Sequence, residues 1–339
     1  MEIYKVGGAV RDSLLGEKPS DSDWVVIGSS PEEMISDGFK PIGKDFPVFL
    51  HPETKEEYAL ARTEKKSGYG YKGFNFYCGK DVTLEDDLRR RDLTINAIAQ
   101  DKNGKIIDPF MGIQDLENKV FRHVSKAFSE DPLRAIRLAR FKSYGHLNSF
   151  EVSKQTSSII NEIVKKGEIG KLSSDRLWSE INKALSSQYT DAFFKMILEY
   201  GMNKDFLQNL CEPMCKIGNS NEVKWAELEK NNAFSLSKNL PVPKDYISAC
   251  NVLKLISKIN ICLEIDELSA LVQKINFKRN ENIIRDLLEI DSLQDSHDLI
   301  ISILEAVKDL DFSNLKNISP DMIQEEKREM YNKLLLEIL

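Results

Sequence analysis

Asp21 and Asp23 stand one residue apart, directly behind a glycine-rich run from Val6 to Gly16. Residues i and i+2 of a β-strand project from one face, so two such carboxylates can share divalent cations where a strand begins. Trp24-Val25-Val26-Ile27 supplies the strand, being apolar and rich in β-branched side chains. Hard oxygen ligands favour Mg²⁺, which completes its shell with water and substrate phosphates. Ahead of the pair, Ile3 to Val6 predicts a first strand and Ala9 to Leu15 a helix ended by Gly16. Between them Gly7-Gly8 predicts a turn whose N–H groups a phosphate can approach without meeting side chains. The start of that helix and Arg11 then face an anion.

A second cluster runs from Leu88 to Ala99 and contains Arg89-Arg90-Arg91-Asp92 and Asn96. It predicts a basic turn leading into a buried amphipathic helix, with Leu93, Ile95 and Ile98 in the core. A triphosphate needs a cation that keeps its proton, which Arg91 supplies, and a ribose hydroxyl needs an acceptor such as Asp92 or an amide such as Asn96. A third cluster, Asp108 to Leu116, predicts a strand end, a turn and a helix start; Asp108 and Gly112 are assigned to structure there.

The fourth cluster is Glu130-Asp131-Pro132-Leu133-Arg134-Ala135-Ile136-Arg137-Leu138-Ala139-Arg140-Phe141. Pro132 suits a first helical turn, and Asp131, Arg134 and Arg137 then rise along one side, away from Leu133, Ile136 and Phe141. A salt-bridged helix surface is one reading of this pattern. The other is recognition: a carboxylate beside a guanidinium complements the exocyclic amine and ring nitrogen of cytosine and adenine. Guanine and uracil present the reverse pattern, leaving both protein groups unpaired at roughly 1–3 kcal/mol each.

Short strand candidates at Ile3–Val6, Trp24–Ile27, Val48–Leu50, Tyr58–Ala61 and Ile106–Ile107 alternate with turns up to about residue 110, and helical periodicity dominates from there on. The expected class is therefore α+β, with a small α/β head over 1–110, a helical neck over 111–205 and a helical body and tail over 206–339. The 339 residues suffice for two or three domains with substantial cores. With 41% hydrophobic and 30% charged residues, and no long apolar run, a soluble chain is expected. The opening Met-Glu-Ile-Tyr-Lys carries no secretory pattern, which suggests the cytoplasm. Five cysteines without a framework spacing read as free thiols. Cys211 and Cys215 could share a helix face, but histidine is too scarce to complete a zinc site. The net charge of −7 argues against a polyanion partner only on average, because seven of the 13 arginines fall between Arg89 and Arg140.

The glycine turn, Arg11-Asp12, Leu14-Leu15-Gly16 and Asp21-x-Asp23-Trp24 resemble the nucleotidyltransferase superfamily, in which two metals clamp an in-line attack on a nucleoside triphosphate. All four clusters in order, together with Lys44 to Pro52 and Glu56 to Glu64, resemble the bacterial CCA tRNA nucleotidyltransferases over roughly the first 200 residues. That resemblance implies a polymerase-β-like palm and addition of C-C-A to tRNA from CTP and ATP. It implies that Asp21 and Asp23 hold Mg²⁺, that Gly8 and Arg11 contact the triphosphate, and that Arg91, Arg137 and Arg140 bind the incoming nucleotide. Asp131 and Arg134 would read the base. The glycine-rich, aromatic stretch Arg62 to Phe74 reads as a mobile loop, which in the family shifts specificity from CTP to ATP. No membrane and no obligatory protein partner are implied.

The second half departs from the family pattern. Close relatives carry a phosphohydrolase domain of the HD type, but here only His297 among four histidines lies beyond residue 150, and Lys230-Asn231 stands where the His-Asp pair is expected. The segment is read as a helical, RNA-facing body without that activity. Two rivals remain. A bacterial poly(A) polymerase or A-adding enzyme shares the head motifs, although the motif start at residue 6 and the lack of a basic tail speak against it. A catalytically inactive RNA-binding protein would have no need of Asp21 and Asp23.

Overall fold

The structure is a computed structural model that describes all residues except 20–21, 43–46, 67–73, 214–219, 314–318 and 320–321. The chain forms two compact units, one of Met1–Ile181 with Ala192–Phe206 and one of Asn182–Asp191 with Leu207–Leu339.

The first unit is built on a seven-stranded sheet. Its strands are β1 (Glu2–Val6), β2 (Asp23–Ile27), β3 (Lys40–Ile42), β4 (Val48–Leu50), β5 (Glu57–Leu60), β8 (Ala99–Gln100) and β9 (Ile106–Ile107). They lie in the order β3-β4-β5-β2-β1-β8-β9, all neighbours antiparallel except the parallel pair β2 and β5. Side-chain alternation divides the sheet into two faces. Val6, Val25, Ala97 and Ala99 fill one core, with Ile27 packed against it; Val26, Phe49, Tyr58 and Leu60 fill the other, with Trp24 against it. Asp23 shares the face of Val25 and Ile27, and its strand leaves Asp23 exposed while burying Val25.

The helices of this unit carry their own stop and start signals. Helix α1 (Gly8–Leu14) follows the Gly7 turn directly, and α2 (Pro31–Ser36) starts with a Ser30/Glu33 capping box and a proline at its first position. Helix α3 (Leu84–Arg89) has a second capping box, Thr83 with Asp86. Before α4 (Gly112–Glu117), the Asp108 carboxylate accepts the Gly112 and Ile113 N–H groups at 2.8 and 2.9 Å. Gly112 is needed at this joint because a Cβ there would lie 2.3 Å from the Thr94 carbonyl oxygen. Gly112→Ala should therefore destabilise the head by about 1–3 kcal/mol. Urea unfolding followed by circular dichroism measures it, and an unchanged midpoint would contradict the tight joint.

Strands β10 (Val120–Phe121) and β11 (Glu151–Val152) pair in parallel around α5 (Leu133–Lys142). Then α6 (Lys154–Lys165), α7 (Ser174–Leu185) and α8 (Thr190–Glu199) follow. Helix α5 buries Leu133, Ile136, Leu138 and Phe141, and Asp131 sits just ahead of it, accepting the Leu133 N–H at 3.2 Å.

The second unit is helical: α9 (Asn221–Asn231), α10 (Lys244–Ile256), α11 (Ile265–Ile275), α12 (Glu281–Leu287), α13 (His297–Lys308) and α14 (Ile323–Ile338). Its core includes the fully buried Trp225 and Phe277. Buried Lys224 donates at 2.6 and 3.2 Å to the Leu185 and Ser187 carbonyls, which belong to the Asn182–Asp191 part of this same unit. Buried Glu229 accepts the Leu236 and Ser237 N–H groups at 2.9 and 2.8 Å, so the end of α9 is used for packing. No helix among the described residues is long and apolar enough to cross a membrane.

Three expectations change. Residues 93–99 do not continue as an amphipathic helix: Thr94–Asn96 forms one 3₁₀ turn and Ala99–Gln100 a strand. The cause is local, since the Asn96 amide bonds back to Asp92 at 3.0 Å and holds the chain in a turn. The flanks of the expected mobile loop are strands, β6 (Thr63–Lys66) and β7 (Phe74–Tyr77), paired antiparallel from Thr63↔Tyr77 to Lys66↔Phe74; residues 67–73 lie outside the described part. Cys211 lies in a non-helical segment, and Cys215 is outside the described residues.

Candidate active site

Register is the first determinant of the site. In the β1–β2 ladder Val6 pairs with Asp23, so the Gly7-Gly8 turn that follows β1 lies beside the carboxylate that opens β2. Gly7 has φ +72°, and a Cβ built on it would stand 2.8 Å from Arg91 Nη1 and 3.9 Å from Asp23 Oδ2. The positive φ favours glycine, and the missing Cβ leaves the Arg91 guanidinium room beside the backbone. Asp21, the other half of the expected pair, lies outside the described residues.

The turn forms one wall of a cavity of about 760 Å³ within the first unit. Gly8, Arg11, Asp23, Arg91, Asp92, Asp131, Arg134 and Arg137, all expected from the sequence, line it. Its described lining carries seven arginines against five carboxylates, a cationic recess on an acidic chain.

The arginines are held by buried acceptors. Arg11, 3% exposed, donates through Nε to Asp12 at 2.7 Å and through Nη1 to Asn96 Oδ1 at 2.6 Å. The Asn96 amide nitrogen donates to Asp92 Oδ1, and Asp92 Oδ2 accepts Arg137 Nε at 2.9 Å. Burial alone would raise the Asp92 pKa, but the Arg137 guanidinium and the Asn96 amide outweigh it and hold the carboxyl well below the usual carboxylate range. Asp92 is thus ionised and already engaged at both oxygens; a carboxylate has about four acceptor sites, which leaves room for a further donor.

Asp87, fully buried on α3, plays the same part for the basic run. It accepts Arg90 Nε and Nη2 at 3.0 and 2.6 Å, Arg91 Nη2 at 3.3 Å and the Arg62 backbone N–H at 3.3 Å. Burial opposes ionisation, yet the two guanidiniums lower its pKa. Arg91 Nε is buried with no hydrogen-bond partner among the described residues. A buried donor left unmet in a cavity wall suits an anionic ligand.

Asp131, also in the lining, accepts Arg176 Nη2 from α7 through Oδ2 at 2.7 Å, and Arg134, the second residue of α5, is 8% exposed. Asp131 thus meets a cation from another helix, beyond the three-residue spacing read from the sequence. Arg140 does not line the cavity: it is 5% exposed, and ion-paired through Nε with Glu180 and hydrogen-bonded through Nη1 to the Tyr144 hydroxyl. Phe141 lies among three guanidiniums, those of Arg11, Arg137 and Arg140, at 5.4, 5.4 and 4.6 Å from its centroid.

Sequence reasoning missed Arg62, Asp87, Arg176, Glu180 and His146. The spacing of Asp87 to Arg90 and Arg91, three and four residues, is a helical pairing signal that could have found the first buried carboxylate. Arg176 and Glu180 arrive from α7 with no local motif, so only the tertiary fold discloses them.

Residues 3–122 match the family described as the poly A polymerase head domain. The matched stretch spans the seven-stranded sheet. Residues 149–212 match a second family, described as the probable RNA- and SrmB-binding site of polymerase A. The head and its helices also share their fold with solved structures. A CCA-adding enzyme in apo form II aligns with TM-score 0.71 at 20% identity over 99% of this chain and 91% of its own. The Bacillus stearothermophilus CCA-adding enzyme in complex with CTP aligns with TM-score 0.68 at 20% identity, over 98% and 89%. The Thermotoga maritima CCA-adding enzyme complexed with tRNA aligns with TM-score 0.65 at 20% identity, over 100% and 92%. The α+β class, a nucleotidyltransferase head followed by helices, is the one expected from the sequence.

Proposed function

We propose that this chain adds C-C-A to the 3′ end of tRNA from CTP and ATP, selecting the base with protein side chains. The observation that carries the reading is that one cavity is lined both by Asp23 with the glycine turn and by Asp131 with Arg134. The first group suits a metal-bound triphosphate and the second a base edge. The solved relatives bound to CTP and to tRNA support the same substrates.

In this reading Asp21 and Asp23 would hold Mg²⁺, which lowers the pKa of the tRNA 3′-hydroxyl and neutralises the leaving diphosphate. Asp23 fits that role: it is an exposed oxygen donor on the cavity wall, with no cation paired to it among the described residues. Gly8 and Arg11 receive the triphosphate with Arg91, whose buried Nε offers a donor. Arg137, fixed by Asp92, faces the nucleotide, and Arg140 supports it from behind through Glu180 and Phe141. Asp131 accepts the exocyclic amine of C or A while Arg134 donates to the ring nitrogen. The stretch 62–74 shifts selection from CTP to ATP, and residues 206–339 form the helical body that docks tRNA, without phosphohydrolase activity.

Incorporation of CMP and AMP into tRNA transcripts ending before C-C-A, C-A or the terminal A tests this. Growth of each transcript to C-C-A and no further is expected. Indefinite A addition to unrelated RNA would make the chain a poly(A) polymerase, and no incorporation would leave it an RNA binder. Asp131→Ala is expected to narrow the preference for CTP over UTP by about tenfold, one hydrogen bond's worth, with a smaller change in triphosphate affinity. Steady-state kinetics with the four triphosphates measures it, and an unchanged order of preference would exclude a protein template.

A further inference from the structure

His146 lines the same cavity from the 3₁₀ turn Gly145–Leu147 beyond α5, and nothing in the proposed chemistry uses it. Its Nε2 lies 3.0 Å from Asp12 Oδ1, the same oxygen that accepts Arg11 Nε at 2.7 Å. One carboxylate oxygen therefore ties the imidazole to the guanidinium. The arrangement matters because of what remains of Arg11. Nε goes to Asp12, Nη1 goes to Asn96, and the plane meets the Phe141 ring at 5.4 Å. Nη2 is left beside the glycine turn, 3.4 Å from where a Cβ on Gly8 would stand.

Two tethers thus aim the third nitrogen. The Asn96 tether is fixed from behind by Asp92, but Asp12 is adjacent to Arg11 in the chain, and its side chain is about one-fifth exposed. The contact that holds Asp12 from outside its own helix is His146, whose ring is itself flanked by Tyr144 at 6.0 Å.

We propose that His146 is a positioning residue for the triphosphate: through Asp12 it fixes the Arg11 guanidinium so that Nη2 is presented to phosphate at the Gly7-Gly8 turn. The proposal rests on the nucleotidyl-transfer reading for its substrate, and it identifies a component that belongs to the polyphosphate and not to the base. Loss of His146 lets Asp12 turn to water and frees Arg11 to rotate, so binding of any triphosphate weakens equally.

His146→Leu removes the hydrogen bond at similar volume, and His146→Gln keeps a side-chain N–H donor at nearly the reach of Nε2. Inorganic tripolyphosphate, which has no base, serves as the probe in calorimetric titration, beside KM and kcat for CTP and ATP. In His146→Leu the tripolyphosphate Kd and both KM values should rise together by about tenfold, the loss of one charge-assisted bond, with kcat and the tRNA KM within about twofold. The ratio of CTP to ATP use should stay unchanged, and His146→Gln should restore most of the affinity. Asp12→Ala, which removes the shared acceptor, should repeat the His146→Leu pattern if that variant fails to fold. Unaltered tripolyphosphate binding in both His146→Leu and Asp12→Ala would overturn the proposal, as would a fall in kcat alone, failure of Gln to rescue, or a wild-type chain that binds no tripolyphosphate. A wild-type chain that binds tripolyphosphate yet transfers no nucleotide to tRNA would instead overturn the functional reading, leaving the binding comparison intact.

Discussion

Asp23→Ala and Asp21→Ala are each expected to reduce nucleotide incorporation by at least about 10³-fold, because a metal site with one carboxylate removed loses both activation of the attacking hydroxyl and stabilisation of the leaving group. Transfer of tRNA from free to bound, measured by gel shift or anisotropy, should change by less than about twofold, since two carboxylates contribute repulsion and not attraction to a polyanion. Asp23 is exposed on the strand end, so its loss removes no core contact and the fold should persist. Turnover by either variant above about a tenth of wild type in Mg²⁺ would sink the metal assignment.

Asp92→Asn is the substitution with the second largest expected effect. It leaves the Leu93 turn its oxygen acceptor but takes away the charge that Arg137 pairs with. Breaking a fully buried ion pair costs about 3–5 kcal/mol; here about 2 kcal/mol is expected, because Arg137 keeps Glu180 at 4.0 Å and its side chain is 35% exposed. Triphosphate use should fall by about 10²-fold as Arg137 loses its charged acceptor, Oδ2, and meets an amide N–H donor in its place. The acid dependence gives an independent check. The Asp92 carboxyl is depressed in the folded chain, so its stabilising contribution is complete above the unfolded value of about 3.9 and is lost as pH falls through the folded value. Wild type should therefore lose stability below about pH 4 more steeply than Asp92→Asn in chemical unfolding. Parallel acid limbs would contradict the charge assignment.

Much of the head was legible because its signals are local. Val25 and Val26 alternate between two cores, Gly7 adopts a positive φ where a turn was expected, and Asp108 ties down the start of α4. The residues lining the cavity were largely legible for the same reason, since Gly8, Arg11, Asp23, Arg91 and Asp92 all sit in short motifs. What stayed hidden are partners contributed at a distance. Asp131 meets Arg176 across 45 residues, and Asp12 meets His146 across 134, and neither separation leaves a periodic trace. The segment at 93–99 misled for the opposite reason. Leu93, Ile95 and Ile98 are all buried, but an Asn-to-Asp side-chain bond ends the helix that their hydrophobicity suggests.

The pairing of Val6 with Asp23 gives the site an unusual freedom in its history. Ladder hydrogen bonds fix the glycine turn against the carboxylate, so the connection between Leu15 and Asp23 does not set their separation. Residues can be gained or lost ahead of Asp21 without moving Asp23 against the turn, whereas a slip of one residue within β2 would turn Asp23 to the opposite face and exchange it with Trp24. Variation in this head is thereby channelled: lineages can drift in loop length while the strand that carries the carboxylate stays in step with its neighbour.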